Sequence, residues 1–395
     1  MLKLFPRAIP VLLICSLFLT IGRGITLPFM TIYLTRHYGL DIHHVGIAMT
    51  VALVIGVAFS LLFGVVADNF DKKRYMLFSV VGFLLGFILI PLSTRVELVV
   101  LWFSLINCAY GVFSTVLKSY FSDTLPVFQR PKVFSLNYTF VNVGWTVGPP
   151  LGTLLVMHSL NLPFWIAALT AVAPLCMISG WVTPVRPVAA ARPSCGIQLS
   201  ALVRDRPLRW FTLSMFLSQI VFGAFTSCLS QYAITFYDVQ VASQIIGVVL
   251  PVNAAVVVLF QYPVGRLLRT ENLRFFMGLG TLFFILGLGG FMLSGTQLWM
   301  WGLSSVVFTV GELIYTPGEY MLLDNIAPAG VKAGYFSAQN LGMLGSALNP
   351  LLTGYLLTWL PGYGLFIVLM AVIVMALLCM HMGISQQRIS PPRLD

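Results

Sequence analysis

Residues 275–318 read FFMGLGTLFFILGLGGFMLSGTQLWMWGLSSVVFTVGELIYTPG, and Glu312 is the only charged residue among them. We expect two membrane-spanning helices here, at 273–294 and 298–322, each long enough to cross a bilayer. A carboxylate at that depth costs about 2.5–3.5 kcal/mol on insertion scales, so such a group usually faces a partner or a watery cavity. Glu312 therefore indicates a substrate path or a proton relay inside a polytopic membrane protein.

The composition of the whole chain supports this interpretation. Of the 395 residues, 58% are hydrophobic and 9% are charged, whereas a soluble domain carries about 25% charged residues. Apolar runs continue over roughly 20 residues and lack the two-residue alternation of a membrane barrel. We therefore predict an all-α integral membrane protein. The first apolar segment continues past Arg23 to about Tyr33, which is too long for the core of a cleaved signal.

Charged residues and Pro/Gly breaks divide the chain into twelve predicted transmembrane helices. They are placed at 9–35, 45–66, 75–93, 98–121, 133–157, 163–183, 208–236, 244–267, 273–294, 298–322, 333–358 and 363–383. With the N-terminus in the cytoplasm, only Arg36 and Arg95 of the 22 lysines and arginines fall outside, and Arg23 lies within the first helix. This bias follows the positive-inside rule and predicts a multi-pass protein with both termini in the cytoplasm.

The net charge of +10 follows from the same distribution, because basic inner loops meet anionic lipid at the membrane surface. The expected partner is the lipid bilayer, and no nucleic acid is expected. The six cysteines lack CxxC spacing, so we expect neither a disulfide framework nor a metal site.

A polar stretch midway along the chain separates two predicted six-helix bundles. It holds four prolines and four arginines. We predict an N-terminal bundle at 1–183, a cytoplasmic linker at 184–207 and a C-terminal bundle at 208–395.

An internal repeat at an offset of about 200 residues supports the two halves. The repeated positions are Asp123 and Asp324, Pro126 and Pro328, Lys132 and Lys332, Phe134 and Phe336, and Ser135 and Ser337. Parallel repeats of this kind are typical of transporters.

The loop between the second and third helices reads GVVADNFDKKR over 64–74. Its G-x-x-x-D-x-x-x-[KR]-[KR] spacing resembles the signature loop of the major facilitator superfamily, although Asn69 and Asp71 replace the usual arginine and glycine. The resemblance implies two six-helix bundles related by a pseudo-twofold axis, and a gate in which Asp68 pairs with a helix N-terminus or cation of the opposite half. The gating residues would be Gly64, Asp68, Lys72, Lys73 and Arg74. An ordinary basic loop is the alternative.

The fifth predicted helix carries glycines at i, i+4 and i+8, which form a bare stripe for the close approach of another helix. The pattern consists of Gly144, Gly148, Pro149 and Gly152. It resembles the pattern of the antiporter branch of the superfamily, with Thr153 in place of a final glycine, and implies an exporter. A packing seam is the alternative, and both interpretations can hold together.

Asn107 stands four residues before Gly111, where drug antiporters of the superfamily usually carry an arginine. Arg23, in the middle of the first helix, could supply the missing cation. A structural bond from Arg23 to backbone carbonyls is the alternative.

Glu312, Tyr315 and Glu319 share one face of the tenth helix by their spacing. We predict proton coupling by Glu312, Glu319 and Arg23, with the proton as coupling ion and no cofactor. A fixed ion pair is the alternative for Glu312, and an interfacial position is the alternative for Glu319.

Polar and aromatic side chains at helical spacing would complete a substrate cavity. The predicted cavity residues are Asn107, Tyr110, Tyr138, Asn142, Trp145, Gln231, Asn253, Tyr315, Gln339 and Asn340. Each of them alone fits an interhelical hydrogen bond equally well.

The resemblance covers the whole chain and is nearest to enterobacterial exporters of dipeptides and drug-like compounds. It implies a proton-coupled antiporter of the bacterial inner membrane that moves a small molecule by alternating access. Nothing in the sequence requires more than a monomer. The sequence has no nucleophile elbow or phosphate loop, so an enzyme or an ATP-driven pump is not expected. Two alternatives stay open: a proton symporter that imports a small polar solute, and a non-transporting membrane protein.

Overall fold

The computed structural model describes residues 5–40, 42–185, 202–223, 225–328 and 330–389. Within these ranges the chain forms helices joined by short turns, without a β-strand. Fifteen of these helices have eight residues or more. In chain order they are α1 (Ala8–Thr26), α2 (Met30–Tyr38), α3 (Ile42–Val66), α4 (Lys72–Leu89), α5 (Val96–Thr124), α6 (Arg130–His158), α7 (Leu162–Trp181), α8 (Arg206–Phe222), α9 (Phe225–Phe236), α10 (Val239–Leu267), α11 (Leu273–Leu293), α12 (Leu298–Ile326), α13 (Lys332–Gln339), α14 (Leu344–Trp359) and α15 (Gly362–Ile389).

Nine helical segments in the described part of the chain are long and apolar enough to cross a membrane. They are Ala8–Phe29, Ile47–Asn69, Val96–Thr124, Val127–His158, Leu162–Trp181, Gln240–Leu267, Leu273–Leu293, Leu298–Ile326 and Gly362–Gln386. The other three predicted helices are also present. The third is α4, which begins with three basic residues, and the seventh and eleventh are each built from two pieces, α8–α9 and α13–α14. The architecture is consistent with a twelve-helix membrane fold.

Three of the predicted helices are interrupted, so the prediction of single helices at 9–35, 208–236 and 333–358 is wrong. In the first of them, the 3₁₀ turn Leu27–Phe29 separates α1 from α2. Pro28 lies in this turn and has no N–H to donate to the α-helical ladder, which explains the change of helix type.

The other two interruptions lie next to a close contact between α8 and α14. A methyl group added to Gly223, just after α8, would lie 2.6 Å from Cβ of Ser346 in α14. A methyl group on Gly345 would lie 3.0 Å from the carbonyl carbon of Phe216 in α8. The amide of Asn349 donates to the carbonyl of Ile220 at 2.5 Å. Glycine at both places allows the two helices to come this close, and Asn349 donates to a carbonyl near the end of α8, where helix carbonyls generally lack a partner within the helix.

The chain divides into two compact units. The first contains Met1–Pro126, Leu136–Leu199 and Pro328–Ser337, and the second contains Val127–Ser135, Ser200–Ala327 and Ala338–Asp395. The short segments that follow α5 and α12 therefore each belong to the unit formed mainly by the other half of the sequence. The linker predicted at 184–207 lies mostly at 186–201, outside the described residues, and the division at that linker stays a prediction.

Candidate functional site

In the first unit, α1 packs against the glycine stripe of α6. A methyl group added to Gly148 would lie 2.6 Å from Cα of Gly24, and one added to Gly144 would lie 2.7 Å from Cβ of Thr20. Pro149 adjoins the same contact, and Gly152 meets the end of α1 and the 3₁₀ turn that follows it. Backbone lies against backbone along this stripe, so α1 is held in one register relative to α6.

This register helps to assemble what we call the arginine cluster: Arg23, Asn107, Tyr110 and Trp145. Nη2 of Arg23 donates to Oδ1 of Asn107 at 2.8 Å. The guanidinium carbon of Arg23 lies 4.3 Å from the ring centroid of Tyr110 and 5.9 Å from that of Trp145. The structure thus brings four predicted residues together around one cation, with aromatic faces in cation–π range.

A residue that the sequence analysis missed adjoins the arginine cluster. Thr20 shares a hydrogen bond of 2.9 Å with the hydroxyl of Tyr110, and its Oγ1 also donates to the carbonyl of Ser16 at 2.7 Å. No carboxylate of the described residues forms an ion pair with Arg23 within 4.0 Å. A guanidinium group has the donor geometry that binds carboxylates.

In the second unit, Glu312 is buried within α12, with 8% of its surface exposed. The amide of Asn253 in α10 donates to Oε2 of Glu312 at 3.0 Å and approaches Oγ1 of Thr309 at 2.8 Å. About two turns further along α10, the amide of Gln261 donates to the carbonyl of Leu313, the residue after Glu312, at 3.0 Å. A carboxylate with a neutral amide donor can gain or lose a proton without breaking that contact.

Two other acidic or aromatic residues of α12 contact different helices. Glu319 is buried, and its Oε1 accepts from Oγ of Ser218 in α8 at 2.6 Å. Its side chain is thus inside the protein, and its depth relative to the membrane interface stays a prediction. The hydroxyl of Tyr315 shares a 2.7 Å hydrogen bond with Thr281 in α11, and the side chain is fully buried. In this conformation Tyr315 fills the gap between α12 and α11 and does not line an open cavity. Aromatic side chains at helical spacing fill packing gaps as well as cavities, so the spacing alone does not distinguish the two.

The predicted gating loop is closed onto a helix N-terminus. Oδ1 of Asp68 accepts from the backbone N–H of Ala333 at 2.9 Å, and Oδ2 accepts from that of Gly334 at 2.7 Å. Both donors lie in the first turn of α13, where backbone N–H groups lack helical partners and favour a negative charge. Lys72 adds its ammonium group 3.9 Å from Oδ1 of Asp68.

The neighbouring contacts fix this loop. Gly64 lies so close to Ser337 that an added methyl group would be 2.5 Å from Cβ of the serine. Oγ of Ser337 also reaches the carbonyls of Ser60 and Leu61, at 3.0 and 2.9 Å. We call Gly64, Asp68 and α13 residues 332–337 the first latch.

The remaining residues of the loop make local contacts. Lys72 forms an ion pair with Asp123 at the end of α5, and Lys73 donates to the carbonyl of Ser179 at 2.7 Å. Asp71 caps α4 by accepting from the backbone N–H of Arg74 at 2.9 Å. An N-cap acid explains the departure from glycine at position 71.

Several predicted cavity residues are not gathered with the others. The amide of Asn142 donates to the carbonyl of Tyr138, one turn earlier in α6. Gln231 is half-buried in α9, Gln339 is buried at the end of α13, and Asn340 lies in the turn that follows. None of the contacts described above brings these five residues into the arginine cluster or to Glu312.

An ion pair that the sequence analysis missed joins Arg130 and Asp324. Nη1 of Arg130 lies 2.6 Å from Oδ2 of Asp324, whose side chain is 3% exposed. The repeat had already marked Asp123 and Asp324 as equivalent, and the structure shows that both bind a cation. The signal for their role was therefore present in the sequence.

Comparisons with known proteins agree with this architecture. The profile of the Major Facilitator Superfamily matches residues 12–343, and the chain belongs to this family. It is 54% identical over 388 residues to the MFS-type transporter YdeE of Escherichia coli (strain K12), covering 98% of both chains. It is 26% identical over 166 residues to the class H tetracycline resistance protein of Pasteurella multocida, covering 42% of this chain and 41% of that one.

A solved structure resembles the whole chain. The outward-facing crystal structure of a bacterial homologue of the iron transporter ferroportin aligns with a TM-score of 0.77 at 15% identity, covering 96% of this chain and 100% of that one. At this identity the likeness concerns the fold. Together, the family match and the fold define a multi-pass membrane transporter for a small molecule, and not an enzyme.

Proposed function

We propose that this transporter is a proton-coupled antiporter that exports dipeptides or small drug-like molecules across the bacterial inner membrane. The proposal rests chiefly on Glu312, a buried carboxylate in the middle of α12 whose Oε2 accepts from the neutral amide of Asn253. Ionisable groups inside a membrane protein commonly serve proton relays. The strong likeness to YdeE favours a bacterial transporter, and the partial likeness to a tetracycline resistance protein favours export.

The arginine cluster supports the choice of substrate. Arg23 presents a guanidinium group beside the rings of Tyr110 and Trp145, and a guanidinium binds carboxylates through paired hydrogen bonds. A dipeptide offers a C-terminal carboxylate and two side chains that can lie against aromatic faces. On this proposal Arg23 binds the substrate carboxylate, and Glu312 carries the exchanged proton.

The first latch supports alternating access. Asp68 holds the first turn of α13 through two backbone N–H groups. These two hydrogen bonds must break before α13 can separate from the loop that carries Asp68. We assign this latch to the cytoplasmic side, with both chain termini in the cytoplasm, because the basic loops then satisfy the positive-inside rule. The latch is closed in this structure, so the cytoplasmic path would open when Asp68 releases α13.

The test is accumulation of a labelled dipeptide in proteoliposomes under an imposed pH gradient. An antiporter concentrates substrate in the acidic compartment, whereas a symporter concentrates it in the alkaline one. We expect accumulation in an acidic lumen with the wild type and none with Glu312→Gln. Glu97→Gln, which removes an exposed carboxylate, is the matched control and should transport normally. Full gradient-driven accumulation by Glu312→Gln would overturn the assignment of the proton carrier, and accumulation in an alkaline lumen would overturn antiport.

A further inference from the structure

The second unit contains a junction equivalent to the first latch. Gly265 in α10 lies against Ser135 in α6, as Gly64 lies against Ser337 in the first latch. In both places a methyl group added to the glycine would overlap the serine side chain. The internal repeat therefore produces two junctions of the same construction, one in each unit.

The second junction lacks the acceptor and one of the two donors of the hydrogen bonds that close the first. Four residues after the glycine, Arg269 stands where the first latch has Asp68. The donors Ala333 and Gly334 stand four and three residues before Ser337, and the residues at these distances before Ser135 are Pro131 and Lys132. A cation replaces the acceptor, and a proline without an N–H replaces one donor.

A cavity of about 580 Å³ opens at this second junction. Its lining includes the three cations Lys132, Arg266 and Arg269, together with the single carboxylate of Glu271. No ion pair within 4.0 Å joins any of these four side chains to another described residue. The charge balance of the lining is therefore positive and suits an anion.

The position and the apolar rim of the cavity indicate the source of that anion. The cavity lies where two membrane spans end, at Val127 and Leu267. Val127 and Phe128 form part of its wall and expose 54% and 68% of their surfaces, and Leu267 beside them exposes 57%. A basic pocket at the end of membrane helices, with apolar side chains next to it, matches a phospholipid with its headgroup in the pocket and its acyl chains along the apolar rim.

We propose that this cavity binds the phosphate headgroup of an anionic phospholipid, with Arg269, Arg266 and Lys132 as its ligands. The lipid takes the place of the carboxylate that closes the first latch, so the second junction depends on the membrane for its counter-charge. This assignment requires only that the chain is embedded in a bilayer, and it stands or falls independently of substrate and transport direction.

The test measures the binding of short-chain phosphatidylglycerol to the purified full-length protein in neutral detergent, by thermal shift and by native mass spectrometry. The comparison ligands are short-chain phosphatidylcholine and inorganic phosphate. The variant is Arg269→Gln, and the matched control is Arg274→Gln, an exposed arginine of the next helix that is not part of the cavity wall. Lys132→Gln provides a second variant if Arg269→Gln does not fold.

We expect phosphatidylglycerol to bind the wild type and Arg274→Gln alike, and to bind Arg269→Gln or Lys132→Gln about fivefold more weakly, since each basic group near a membrane surface contributes about 1 kcal/mol. Equal affinity of the wild type and the cavity variants would overturn the proposal. Equal binding of phosphatidylcholine would also overturn it, because the binding would then be non-specific. Equal protection by inorganic phosphate alone would indicate a phosphate site and not a lipid site, and an equal loss of affinity in Arg274→Gln would indicate a diffuse charge effect.

Discussion

Arg23 donates a hydrogen bond to Asn107 at 2.8 Å, so the cation of α1 contacts the position of α5 at which related antiporters carry their arginine. A guanidinium group therefore lies beside position 107, although it is supplied by α1 and not by α5. Because the contact is direct, the two positions can be exchanged by mutation and tested as a pair.

We expect Arg23→Asn to lower the affinity for a carboxylate-bearing substrate by roughly ten- to a hundredfold, because a hydrogen bond to a charged group contributes about 1.5–3 kcal/mol. The double variant Arg23→Asn with Asn107→Arg should recover part of this loss. Dipeptide binding measured by calorimetry in detergent checks both. If the double variant folds but binds no better than the single one, the cation does not act in the exchanged position.

The contact between Asn253 and Glu312 can be tested for its contribution to stability. Asn253→Ala removes the amide that donates to the buried carboxylate and should lower the free energy of unfolding by about 1–3 kcal/mol. Asn142→Ala, whose amide donates within its own helix, should cost less. Thermal unfolding of both variants measures these costs, and that of the wild type, Asn253→Ala, Glu312→Ala and the double variant forms a double-mutant cycle. Strict additivity would show that the two side chains do not interact in the membrane protein.

Removing the charge of Asp68 should loosen the first latch. Asp68→Asn keeps one acceptor for two backbone donors and loses the charge assistance, which we expect to cost about 1.5 kcal/mol and to raise the open population about tenfold. The readout is maleimide labelling of a cysteine placed at Ser337, which is fully buried, in a background without the six native cysteines.

The matched control for the latch is Asp71→Asn in the same loop. Asparagine caps helices as well as aspartate does, so the labelling rate should stay at the wild-type value. A labelling rate for Asp68→Asn that equals that of this control would show that the Asp68 carboxylate does not hold α13.

The glycine stripe of α6 should tolerate no added carbon at Gly148. Gly148→Ala would place a methyl group 2.6 Å from Cα of Gly24, and overpacking against backbone costs about 1–3 kcal/mol. Gly180→Ala is the matched control, since nothing lies within 4 Å of its added methyl group and alanine favours the helix. Melting temperatures should fall for the first and hold or rise for the second; a stable Gly148→Ala protein would contradict the close packing of α1 and α6.

The positions of the helices could be predicted from the sequence, because charged loops and Pro/Gly breaks bound the apolar runs. The interruptions after Phe222 and before Leu344 could not, since Gly223 and Gly345 resemble ordinary glycines of membrane helices. Only the close approach of α8 and α14 distinguishes them. Tertiary packing, and not local propensity, decides such breaks.

The candidate site was predictable in part. The resemblance carried by Gly64 and Asp68 implied that Asp68 pairs with a helix N-terminus or a cation, and in the structure Asp68 accepts from the N-terminus of α13. The helices that Glu312, Tyr315 and Glu319 contact could not be predicted. Side chains three and four residues apart lie on one face of α12, but three neighbouring helices surround that face, and each side chain contacts a different one. Tyr315 thus contacts α11 while Glu312 contacts α10.

The close approach of α8 and α14 also bears on motion within the second unit. The end of one helix carries a partial negative charge, the start of the other a partial positive charge, and Asn349 joins them through the carbonyl of Ile220. We expect two short helices joined side by side in this way to tilt as a pair, so that a displacement of either one is passed to the other without bending a long helix.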